Sequence, residues 1–139
     1  MTRYPAICLW QPFASLIFSG HKRHETRSWP LPPSRQGRRH AIAATLGFTP
    51  RRLVSAELDE LCRQLWGSAY RDTLPRGVIL GTVELVDSAS TDERDPFTLA
   101  DRIAGDWSPG RHAWKLDAPI PLPGPVKVQG RQGWFEVEL

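Results

Sequence analysis

Lys22, Glu25 and Arg27 stand in the stretch GHKRHETRSW, residues 20–29, and bring an ammonium, a carboxylate and a guanidinium close together. Two roles are open to Lys22: a functional one, contacting phosphate or taking up a proton where burial lowers its proton affinity, and a plain one as a cation beside a helix C-terminus. Glu25 with Arg27 can read a base amine and hold a phosphate, or can close a surface salt bridge that contributes less than about 1 kcal/mol. Glu84 is the sole charge in VILGTVELV, residues 78–86. A carboxylate among valines and leucines faces a cavity or must find a partner. Arg111 directly follows the turn Ser108-Pro109-Gly110, as an anion clamp or as the boundary of a strand.

Aromatic faces accompany these charges. Trp10, Trp29 and Trp107 can stack on a base or serve as packing, whereas Trp66, Trp114 and Trp134 read as packing residues. His21, His24, His40 and His112 lack ligand spacing with acidic or cysteine partners, so neither a metal site nor a cofactor is expected.

The elements that must position these side chains follow from local pattern. Residues 1–9 form a short apolar strand, and Pro12 with Gly20 brackets a helix over residues 12–19. Phe13, Leu16 and Ile17 give that helix one apolar stripe. Residues 21–29 are extended, so alternation sends Arg23, Glu25, Arg27 and Trp29 to one side and Lys22, His24 and Thr26 to the other. Lys22 is close enough to the helix end to depart from that rule. A basic, proline-rich loop with Arg35, Arg38 and Arg39 leads to a strand at 40–45 and then to a helix over 50–66 closed by Gly67.

Residues 78–86 form a buried strand, and a short helix over 96–104 is expected to be capped by Asp95, in a segment where nothing suggests chemistry. Strands follow at 111–117, 126–129 and 134–139. Prolines 119, 121, 123 and 125 make a rigid connector, and Gly130 to Gly133 a turn. About five or six short strands with two or three helices indicate an α+β domain, a curved sheet or small barrel with helices at its side.

Composition bounds the rest. The 139 residues make one domain, residues 1–139, with 40% hydrophobic and 24% charged side chains, which excludes a disordered chain. The 13 prolines and 11 glycines argue against a helix bundle. A net charge of +3 favours polyanionic partners. No apolar run is long enough to span a membrane and no signal peptide is evident, so no membrane association is expected. Cys8 and Cys62 lie among apolar neighbours without close spacing, as free thiols of a cytoplasmic protein do.

Gly20, Lys22, Glu25 and Arg27 fit the pattern G-x-K-x-x-E-x-R, which resembles the signature of the ASCH domain, a branch of the PUA-like superfamily. LWQPFASLIFSGHKRHETRSWP, LPRGVILGTVELVDS, SPGRHAWKL and PLPGPVKVQGRQGWFEV resemble that family in the same order, over nearly the whole chain. The resemblance implies a PUA-like β-barrel of about five to six strands with flanking helices, and a charged cleft between helix and barrel. It also implies binding of RNA or a nucleoside, with Lys22, Glu25, Arg27, Trp29, Arg111 and Trp10 as the contacting residues. The alternative is a hydrolase acting on RNA or an acylated nucleoside, ribonuclease-like or amidohydrolase-like, with Lys22, Glu25 and Glu84 as catalytic residues. In that comparison Lys22 matches the amidohydrolase lysine and Glu84 its glutamate. Glu25 stands where those enzymes carry a threonine, so the acyl-threonine route is closed. A protein-interaction module would instead require the cleft to be filled by side chains.

Overall fold

The computed structural model describes residues 1–139. Six strands form one mixed sheet: β1 (Arg3–Gln11), β2 (His24–Arg27), β3 (Arg38–Phe48), β4 (Val78–Ser90), β5 (His112–Lys127) and β6 (Phe135–Glu138), in the order β2-β5-β4-β3-β1-β6. β1 runs parallel to β3, and every other pair is antiparallel. No ladder joins β2 to β6, so the sheet is open at both ends and the expected closure into a barrel is not made. The reason lies in the end strands, which are only four residues long each and are followed or preceded by turns.

β1 and β3 are apolar on both faces because each face carries its own core. Ile7, Leu9, Ile42, Val83, Leu85, Trp114 and Leu116 pack on one side with Ala14 and Ile17 of helix α1 (Phe13–Phe18). Ala6, Ala41, Ala43 and Ile79 pack on the other, beneath Leu122, Phe135 and Val137. Consecutive residues thus serve opposite cores, as the pleat demands. α1 is itself buried on two sides: Leu16 leaves the sheet and joins Leu58, Cys62, Tyr70 and Leu74 of the helical layer. That layer comprises α2 (Ala56–Trp66), α3 (Tyr70–Thr73) and α4 (Leu99–Ile103).

Several local expectations change. The helix expected over 50–66 is a 3-10 turn at Arg51–Leu53 followed by α2, whose start is set by Ser55 accepting the Leu58 N–H at 3.0 Å. α4 is capped by Thr98 rather than Asp95, because Thr98 is the residue in extended conformation whose side chain reaches the Asp101 N–H. The proline connector is part of β5. Its pairing with β4 shifts register three times, the largest shift leaving residues 122–125 opposite Leu80 alone as an extended bulge. Gly81 lets this pairing come close: a Cβ there would meet the Ile120 carbonyl, the Phe18 ring and the Pro121 backbone. No helix is long and apolar enough to cross a membrane.

Candidate functional site

The site begins where α1 ends. Gly20 takes φ +84°, and the Leu16 carbonyl accepts the N–H groups of both His21 and Lys22, at 3.1 and 2.9 Å. This turns the chain sharply into β2 and aims Lys22 inward, where only 3% of the residue remains exposed. Its Nζ donates to the Ala104 carbonyl at 2.6 Å and lies 3.2 Å from Glu25 Oε1, above the Phe13 ring. Glu25 Oε2 in turn accepts from Arg27 Nε at 2.9 Å. The three motif side chains therefore form one alternating chain of charge.

Arg27 continues into an aromatic stack. Its guanidinium carbon sits 5.4 Å from the Trp29 ring centroid and 5.6 Å from that of Trp114. Trp114 stacks on Trp134, and the Arg35 guanidinium carbon lies 4.3 Å from the Trp134 ring centroid. Trp114 Nε1 also donates to the Trp29 carbonyl at 3.1 Å, which fixes the backbone where β2 ends.

Lys22, Glu25, Arg27, Trp29, Arg111 and Trp10 all line one cleft of about 780 Å³. Trp10 and Trp29 are the open faces, at 45% and 49% exposure. Arg111 is held by the carbonyls of Asp106 (Nε, 3.1 Å) and Thr26 (Nη2, 3.2 Å). The Asp106 carboxyl is held below its ordinary value because the Ser108 hydroxyl and N–H donate to it and Arg111 lies beside it. Thr26 Oγ1 is occupied as acceptor of the Asp106 N–H at 3.0 Å, and so is a structural link.

Glu84 is not brought to this cleft. Val83 and Leu85 face the core, alternation turns Glu84 to the other face, and there it lies across from Arg39 and Asp117. The expected meeting of Lys22 with Glu84 is replaced by the meeting of Lys22 with Glu25. The basic loop also differs: Arg38 and Arg39 belong to β3, and Arg39 donates to Thr82 Oγ1 and the Ala118 carbonyl. Trp107 edges onto His24 and donates to the Asp101 carbonyl, which makes it a packing residue.

The ASCH domain family model matches residues 7–102, about two thirds of the sequence and all of the G-x-K-x-x-E-x-R segment. The chain belongs to the ASCH domain family. No curated protein matches it. The crystal structure of ASCH from Zymomonas mobilis is similar over 96% of this chain and 87% of that one, with 20% identity and a TM-score of 0.54. A single-residue mutant of the same Zymomonas mobilis protein gives 96% and 89% coverage at 20% identity, also with a TM-score of 0.54. At that identity the likeness concerns the fold.

Within this ASCH domain, two contributors to the cleft escape the sequence reading. The turn before β6 supplies Arg131, Gln132 and Trp134, the last of which reads as mere packing. The segment 97–107, where nothing in the sequence suggests chemistry, supplies the Ala104 carbonyl and Asp106, and carries the fully buried Asp101, which does not itself line the cleft. Only the out-of-place Asp in LADRI, a carboxylate on the inner side of a short helix, signals it in advance.

Proposed function

We propose that this ASCH domain binds RNA or a nucleoside in the cleft, with one base inserted toward Lys22 and Glu25. The observation that carries the reading is the alternating Lys22–Glu25–Arg27 chain at the floor of a cleft rimmed by two half-exposed tryptophans. Trp29 offers a base its open face while Arg27 backs the other, and Trp10 closes the mouth from β1. Each Glu25 oxygen is engaged by one cation and keeps a lone pair for a base amine. Arg111 and Arg131 then take the flanking phosphates, since Arg27 is committed to Glu25 and the indoles. The lining cations Lys22, Arg27, Arg111 and Arg131 outnumber the lining carboxylates Glu25 and Asp106, which suits a polyanion.

Hydrolysis of RNA or of an acylated nucleoside is the weaker reading. With Glu84 on the other sheet face, Glu25 is the one expected catalytic carboxylate that lines the cleft, and each of its oxygens is already engaged by a cation. Titration of the protein with short single-stranded RNAs and a panel of modified nucleosides, with products followed by mass spectrometry, tests both. Two phosphate contacts give a slope of log affinity against log salt of about −1.4. Absence of any binding to the panel overturns the proposal, and turnover abolished by Lys22→Ala favours the hydrolase.

A further inference from the structure

We propose that Asp101 is the positioning residue for the Lys22–Glu25 pair, a role that rests on reading the cleft as the binding site. Its carboxylate is fully buried. Oδ1 accepts the N–H of Arg23 at 2.7 Å and of His24 at 3.1 Å, while Oδ2 accepts His24 Nδ1 at 2.8 Å and the Phe97 N–H at 3.0 Å.

Arg23 and His24 are the residues that separate Lys22 from Glu25. In a regular strand, consecutive N–H groups point to opposite sides, and residues i and i+3 face opposite ways. Here two consecutive N–H groups converge on one oxygen just where β2 begins, a departure from the alternating N–H directions of a regular strand. Lys22 lies just before β2 and Glu25 within it, and Lys22 Nζ and Glu25 Oε1 meet at 3.2 Å across the two residues whose N–H groups Asp101 holds. The same helix, α4, ends at Ala104, whose carbonyl holds the Lys22 ammonium. One element thus fixes the backbone between the two charged residues and the tip of the first.

The residue type follows from the surroundings. Every group facing the Asp101 carboxylate is a donor, so an amide in its place would set its NH2 against an N–H. Burial pushes the Asp101 carboxyl up, yet the hydrogen bonds from His24, Phe97 and Arg23 outweigh it and keep the group ionised.

The test combines Asp101→Asn with Lys22→Ala. Asp101→Asn is expected to weaken binding of a short single-stranded RNA at least tenfold, and the double variant to bind no worse than Lys22→Ala alone. Losses that multiply in the double variant overturn the assignment. A second readout needs neither RNA nor a variant that folds: amide exchange of the Arg23 and His24 N–H groups in the unaltered protein is expected to be at least a hundredfold slower than in an unstructured chain. Free exchange there overturns the assignment even if RNA binds. Slow exchange without any RNA binding leaves the Asp101 hydrogen bonds standing and removes the binding reading instead.

Discussion

Trp114 and Trp134 stack at 5.8 Å between ring centroids with planes 15° apart, although one lies on β5 and the other directly precedes β6, near opposite ends of the strand order. The sheet is therefore strongly curled, and the two indoles bridge a gap that no backbone ladder closes. Trp134→Ala removes this bridge, the seat of Arg35 and one wall of the cleft. It should cost about 2–3 kcal/mol, the pair itself providing roughly 1 kcal/mol of that. Urea unfolding measures the loss, and the near-ultraviolet dichroism of the stacked indoles should collapse with it.

Glu25 is the only carboxylate paired with the buried Lys22 ammonium. Glu25→Ala leaves that charge with a single carbonyl acceptor and should destabilise the fold by about 3 kcal/mol. Adding Lys22→Met should recover more than half of the loss, because the unpaired charge goes with it. A thermal or chemical unfolding cycle over the four proteins checks this, and equal stability of the single and double variants contradicts it.

His40 is fully buried, with its Nδ1–H donated to the Arg38 carbonyl and Nε2 without a partner. Burial, together with the charges of Arg35 and Arg38, pushes its pKa down to about 4. The folded state thus resists a proton that the unfolded chain accepts near its ordinary value of about 6.5. Stability contributed by neutral His40 is complete above that value and is lost as pH falls toward 4, by about 3 kcal/mol in all. Unfolding free energies measured between these limits should show the slope, and His40→Leu should flatten it.

Gly81→Ala should destabilise by about 1–3 kcal/mol without touching the cleft, since the new methyl meets β5 backbone and the Phe18 ring that cannot both retreat. Denaturation together with RNA titration separates the two effects: a lower midpoint with unchanged affinity of the folded fraction is expected.

Much of the fold is legible from local pattern. The β1 run, the Pro12–Gly20 bracket, the β4 run and the motif charges all announce themselves in a few residues, and the structure places Lys22, Glu25, Arg27, Trp29, Arg111 and Trp10 on one cleft. What escapes depends on partners remote in sequence. Asp101 meets Arg23 and His24 across more than seventy residues, and the lone acidic residue in a short helix, though it flags the segment, does not name those partners. Glu84 misleads for the opposite reason: alternation with Val83 and Leu85 already turns it away from their core, but its isolation among apolar neighbours suggests a cavity. The open sheet is likewise set by how far β2 and β6 extend, which no motif specifies.

β2 covers only residues 112–115 of β5, so the remainder of that long strand is a margin of the sheet. Prolines 119, 121, 123 and 125 remove a backbone donor at every second position there. A neighbouring polypeptide laid against this margin finds carbonyls but no matching row of N–H groups, and the bulge at 122–125 breaks its register as well. The chain is thereby guarded against templated strand addition along this border.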